Sequence, residues 1–167
     1  KKLQKQLNHL KTQGYKGIKL HAQFNKFNVR KHSKELRRVL SFMESEDMVA
    51  LFHTGTHFLI RNLSLLLREF EGLKVILGHS GLGPQIDQAL QCAIDHQNVY
   101  LEISGQGYQF MIKRAIKHPD LGIERVLYGS DLPSLDPTVE MMKILCLPVS
   151  EEEKRLLLWE NTHTLFS

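Results

Sequence analysis

A regular repeat of short apolar runs is the feature that most constrains the fold. The runs are Tyr15–Leu20 (YKGIKL), Met48–Phe52 (MVALF), Leu73–Leu77 (LKVIL), Val99–Ile103 (VYLEI) and Arg125–Tyr128 (RVLY). Each has the length of one buried strand. Their starts lie 33, 25, 26 and 26 residues apart, which suits successive βα units of roughly 30 residues. Strands alternating with helices imply a parallel α/β architecture. Periodicity alone does not separate an open doubly wound sheet from a barrel.

The intervening stretches read as helices. Leu3, Leu7 and Leu10 form an apolar stripe, with Gly14 as a stop. Ser33 is expected to cap a helix carrying Leu36, Leu40 and Met43. Phe58 to Phe70 is strongly apolar and closed by Gly72, and Pro84 opens a helix bearing Ile86, Leu90 and Ala93. Tyr108 to His118 is a helix stopped by Pro119. Asp136-Pro137 is a cap with a first-turn proline, and Ser150 to Glu153 is a capping box. No linker or low-complexity segment divides the chain, so residues 1–167 are expected to form one domain.

Charge and composition narrow the function. No stretch approaches the ~20 apolar residues of a membrane span, so no membrane partner is expected. The polar start, Lys1 to Leu10, lacks the apolar segment of a secretory leader. The two cysteines, Cys92 and Cys146, fall in expected helices without metal-ligand spacing. They read as buried thiols in a cytoplasmic protein. Net charge is +4, and residues 1–38 hold 12 Lys or Arg against one acid, Glu35. Phe24 and Phe27 interleave with Lys26 and Arg30, as on a nucleic-acid surface. A solvated face is the commoner meaning of such a block, so nucleic acid is not the expected partner.

The residues just past each run carry the chemistry. The endings are KLH (Lys19–His21), FHTG (Phe52–Gly55), GHSG (Gly78–Gly81), EISG (Glu102–Gly105) and GSDLP (Gly129–Pro133). In parallel α/β proteins the active site lies at the carboxyl edge of the strands. Two endings offer His and one offers Asp, ligand types of zinc and related cations. A strand-end His or Asp is individually more often a hydrogen-bonded or turn residue, but three at equivalent positions point to a clustered polar site.

The order GIKLH, FHTG, GHSG, NVYLEISG, RVLYGSDLP, ENTHTLF resembles the metal-dependent amidohydrolases of the decarboxylase-related branch, over essentially the whole chain. The resemblance implies a partial TIM (β/α)8-type barrel, with the five runs as strands four to eight. It implies His53 and Asp131 as metal ligands, and His79 with Asp131 as catalytic acid–base groups. It places Lys19 and His21 where a substrate would be contacted. It also implies a divalent metal, zinc before others, and a small polar substrate. The activity implied is hydrolysis; the alternatives are non-oxidative decarboxylation or a non-catalytic binding relative with a basic face. The family's first-strand His-x-His pair occurs nowhere in this sequence. The bland role for Lys19 is an ion pair inside the barrel with Glu102. A complete barrel runs about 250 residues, so five strands would leave sheet edges and an apolar interior exposed. A truncated enzyme, a short form completed by a second copy or partner chain, and a decayed relative are the three expectations.

Overall fold

The computed structural model describes residues 2–55 and 60–167. Its centre is a parallel sheet of β1 (Gly17–Leu20), β2 (Val49–His53), β3 (Val75–Gly78), β4 (Val99–Glu102) and β5 (Val126–Leu127), in that order. Every neighbouring pair is parallel and consecutive, with Leu20 beside Phe52 and His53 beside Gly78. A doubly wound sheet reverses its strand order at a switch point, whereas a barrel wall does not. The sheet is therefore a partial TIM (β/α)8-type barrel.

The helices are α1 (Lys2–Thr12), α2 (Ser33–Ser45), α3 (Ile60–Leu67), α4 (Ile86–Asp95), α5 (Gln109–Ile116), α6 (Pro137–Leu145) and α7 (Glu151–Arg155). A π-turn at Leu156–Glu160 leads into α8 (Asn161–Phe166). Alternation along the strands sends Ala50, Phe52, Val75, Leu77, Val99, Leu101 and Val126 to one face, where they pack in a buried core with Leu40, Met43, Leu63, Leu67, Leu90 and Ile112. Burial of these apolar side chains, about 1.5–3 kcal/mol for each large one, dominates the stability of the helix–sheet layer.

Local signals explain most helix ends. Asp136 accepts from the Thr138 backbone N–H at 2.7 Å, and the Ser150–Glu153 capping box is fully formed. Gly14 takes φ +80°, a left-handed stop after α1. Ser33 is not the cap of α2: His32 holds that position, without a side-chain bond. The Asn28 carboxamide organises the turn instead, accepting from Arg30 and Lys31 N–H at 3.0 and 3.1 Å. Lys1, and Phe58 with Leu59 of the apolar stretch before Phe70, lie outside the described residues. Cys92 is buried, its thiol pushed up to about 12 by burial, but Cys146 is exposed at the end of α6.

One further expectation is corrected. The inner sheet face is not bare: Val49, Ile76 and Leu127 are at most 4% exposed beneath Leu165 of α8. At the outer edge of β5, Tyr128 N–H donates to Leu157 O at 3.0 Å, and Asn161 Nδ2 donates to Val126 O and Ile123 O at 2.9 and 2.8 Å. The carboxy-terminal helix thus satisfies backbone groups that another strand would take. The basic block is also partly neutralised. Arg37 forks onto Glu69 with two 2.6 Å bonds, Lys11 pairs with Glu46 at 3.8 Å, and Phe27 packs on the core.

Candidate metal centre

Register brings the strand ends to one level. His53 ends β2, opposite Gly78 at the end of β3, so His79 comes directly beside it. The two imidazoles meet: His53 Nδ1 lies 3.0 Å from His79 Nε2. From the end of β1, His21 stacks on His53, with centroids 3.8 Å apart and planes at 14°. Phe24 tilts against His21 with centroids 4.2 Å apart. Asp131, beyond β5, places Oδ1 3.9 Å from His79 Nε2 and 3.5 Å from Lys19 Nζ. Lys19, His21, His53, His79 and Asp131 therefore converge, although they are spread over more than a hundred residues of sequence. Lys19 pairs with Asp131 and not with Glu102.

Burial sets the protonation state of the ring stack. The His53 pKa is lowered to about 4, first by desolvation and then by the neighbouring His79, His21 and Lys19. Desolvation, with Lys19 next, also lowers that of His21. Both rings are neutral at pH 7 and keep a nitrogen lone pair, the form in which imidazole binds a cation.

The backbone beneath His79 is unusual. His79 and Ser80 have φ of +67° and +46°, and Asp131 has +48°, conformations that cost a non-glycine residue of order 1–3 kcal/mol each. Polar clamps hold the first two. Glu102 accepts from His79 N–H at 3.0 Å, and Gln106 Nε2 donates to His79 O at 2.5 Å. Buried Thr54 donates to Gly78 O at 2.6 Å and accepts from Gly81 N–H at 2.8 Å. Glu102 also accepts from the Ser104 hydroxyl at 2.9 Å and from Ser104 N–H. Sequence reasoning gave Ser104, Thr54 and Gln106 no place in the site and Glu102 only an ion pair with Lys19. The one signal was their position in the strand-end runs FHTG and EISG or just past them.

Lys19, His79 and Asp131 of the cluster, but not His21 or His53, border a cavity of about 230 Å³ that Glu102 and, from α8, Thr162 and Phe166 also line. His53, His79 and Asp131 are donors of the right chemistry for a divalent cation. Among the described residues, no group of three or more His, Cys, Asp or Glu side chains has the geometry of a metal cage. By donor chemistry His53 and Asp131 could supply part of a ligand set, and they do not make a whole one.

Comparisons with known proteins bear on the family and the fold. A family model described as Amidohydrolase matches residues 3–167. A solved but uncharacterised TIM-barrel protein of Bordetella bronchiseptica is 17% identical, with TM-score 0.77 over 97% of this chain and 60% of its own. The 5-carboxyvanillate decarboxylase of Sphingomonas paucimobilis is 16% identical, with TM-score 0.68 over 90% of this chain and 58% of its own. That of Novosphingobium aromaticivorans, solved with manganese and 4-hydroxy-3-methoxy-5-nitrobenzoic acid, is 17% identical, with TM-score 0.69 over 92% of this chain and 56% of its own. The chain thus spans 56–60% of the length of these structures. No curated protein matches it. No described helix is long and apolar enough to cross a membrane.

Proposed function

Since the chain belongs to the amidohydrolase family, we propose that it contributes the carboxy-terminal half of a metal-dependent active site acting on a small polar substrate, with hydrolysis as the first reading. The carrying observation is the convergence of His53, His79 and Asp131 at one sheet edge, with His53 Nδ1 3.0 Å from His79 Nε2. His53 and Asp131 would hold the cation, and its remaining coordination would come from outside the described residues. A divalent ion held there would supply polarisation of a substrate carbonyl and a more acidic water. His79, between His53 and Asp131, would act as the acid–base group once its Nε2 is released from His53 Nδ1. The Lys19 ammonium, 3.5 Å from Asp131, would receive a substrate carboxylate or release Asp131 to the metal. Zinc suits the His and Asp donors, and the manganese of the Novosphingobium structure makes that ion the alternative.

One observation favours a second reading, non-oxidative decarboxylation of an aromatic acid. His53, His21 and Phe24 form a continuous aromatic flank, and Phe24 is 78% exposed. Such a wall fits a planar ring, and two of the similar structures are 5-carboxyvanillate decarboxylases.

The test is metal content of the purified chain beside a His53→Ala variant. About one divalent ion per chain, lost in the variant, is expected. No metal above background in the unaltered chain would remove the reading for this chain by itself. Carbon dioxide release from hydroxylated benzoates, against hydrolysis of amides and lactones, separates the two activities.

A further inference from the structure

The Nδ1 side of His79 faces only hydrogen-bond acceptors. The Ser104 carbonyl lies 3.2 Å from Nδ1 and the Ser104 hydroxyl 2.9 Å from it. A carbonyl has no proton to give. The serine hydroxyl has one, and it is directed at Glu102 Oε2, 2.9 Å away. An ionised carboxylate only accepts, so it draws the hydroxyl proton and turns the oxygen lone pairs toward the ring. Glu102 is itself immobilised. It accepts from the backbone N–H groups of His79 and Ser104. Gly129, which lacks a Cβ, and Gly78, whose Cβ would lie 3.7 Å from Oε2, flank its side chain. His79 is 5% exposed and Ser104 1%, so water does not supply an alternative donor.

We infer that Glu102 and Ser104 are positioning residues that lock neutral His79 in the Nδ1–H tautomer and, through His79, lock His53 with its Nε2 lone pair presented to a cation. The second step derives from the first. With Nδ1 protonated, neutral His79 carries a bare lone pair at Nε2, and its neighbour at 3.0 Å is His53 Nδ1. Two lone pairs at that distance repel, so His53 Nδ1 carries the proton and donates it. Neutral His53 then has its own lone pair on Nε2. The polarity of the chain runs from the Glu102 carboxylate through the Ser104 hydroxyl and the His79 ring to His53. The tautomers do not depend on the proposed function. Their use in binding a cation rests on that reading.

The experiment is side-chain 15N–1H correlation spectroscopy on the 15N-histidine-labelled full chain, metal-free, at about pH 8, where imidazole is neutral. A His79→Gln variant and a His53→Gln variant identify the two rings. Both rings in a single Nδ1–H form is the expected result. An Nε2–H form or an even mixture at His79 would overturn the inference, whatever the chain does with metal. Ser104→Ala leaves only the longer carbonyl contact, so an Nε2–H population should appear at His79, and Ser104→Thr should remove it. A Ser104→Ala spectrum identical to the wild type would overturn the role of Ser104. Zinc titration completes the test. About tenfold weaker binding in Ser104→Ala is expected, the scale on which groups that orient a ligand tune affinity. Correct tautomers with no zinc binding would support the positioning role while removing the metal reading. A Ser104→Ala variant that fails to fold leaves the wild-type spectrum to decide.

Discussion

Replacing Gly129 with alanine probes the polar clamp at its tightest point. A Cβ at this position would overlap the Glu102 carboxylate, with Cδ 2.6 Å and Cγ 2.9 Å away. The end of a glutamate side chain normally swings clear of such a contact at small cost. Here the carboxylate is tied by His79 N–H, Ser104 N–H and the Ser104 hydroxyl, and leaving breaks all three bonds. Hydrogen bonds to a charged acceptor contribute about 1.5–3 kcal/mol each, and a buried N–H without a partner costs about 1–3 kcal/mol. The bonds do not add fully, so a net loss of about 3–5 kcal/mol is expected, a large share of the ~5–15 kcal/mol that stabilises a domain. Gly107 is the control, because a Cβ there meets nothing within 4 Å. Gly107→Ala should stay within about 0.5 kcal/mol of the parent. Urea denaturation followed by circular dichroism gives both numbers. Gly129→Ala within about 1 kcal/mol of the parent, or Gly107→Ala equally destabilised, would refute the claim that Glu102 is fixed.

Three further outcomes are expected. The His53 pKa falls from 6.5 unfolded to about 4 folded, so the unfolded chain binds the proton more readily, and stability is lost as pH falls from 6.5 to 4 and is level below. The full shift corresponds to ~3.4 kcal/mol, but the ring is only half-buried and water screens it, leaving about 1–2 kcal/mol. Urea midpoints should drop between about pH 7 and about pH 5 and drop less in His53→Gln; an equal drop in both would refute the assignment. Asn161→Ala leaves the Val126 carbonyl without its donor, whereas Ile123 O keeps the Val126 N–H; it should cost about 1–2 kcal/mol while loosening the β5 edge, read by amide exchange at Tyr128. Buried Arg125 donates to the carbonyls of Ala93, His96, Asp120 and Leu121; Arg125→Met should lose about 3 kcal/mol or more, and Arg125→Lys should recover less than half because one ammonium cannot span the fork, both read from urea midpoints.

The parts of the fold read correctly from sequence are those set by neighbours within a few residues. Strand runs, the Asp136 cap, the capping box at Ser150 and the stop at Gly14 are all of this kind. Ser33 failed although its type suits a cap, because Asn28 and His32 had already satisfied the turn from the other side. The order of strands needed pairing partners roughly 25–33 residues away, and the closure of β5 by Asn161 spans 35 residues. Neither leaves a local trace. The same limit explains Lys19. Glu102 ends β4, Asp131 follows β5 and both carry the right charge, but Glu102 is folded back into a slot beside glycine, and only Asp131 is left within reach.

The site residues were legible for a different reason from the residues that hold them. His53, His79 and Asp131 are polar residue types at the ends of apolar runs, which is visible in a sequence; that His79 and Asp131 are also costly where they stand is visible only in the structure. Local sterics would choose glycine at φ +67° and +48°, and glycine does occupy the adjoining left-handed position at Gly81. Lys26 and Asp47 share such angles, but they are exposed turn residues. At His79 the strain is buried and clamped by Glu102 and Gln106. A side chain kept where the backbone disfavours it, with neighbours that hold it there, is the pattern on which the proposed role of His79 rests. Glu102, Ser104, Thr54 and Gln106 sit in ordinary conformations beside it, and only their partners in space reveal what they do.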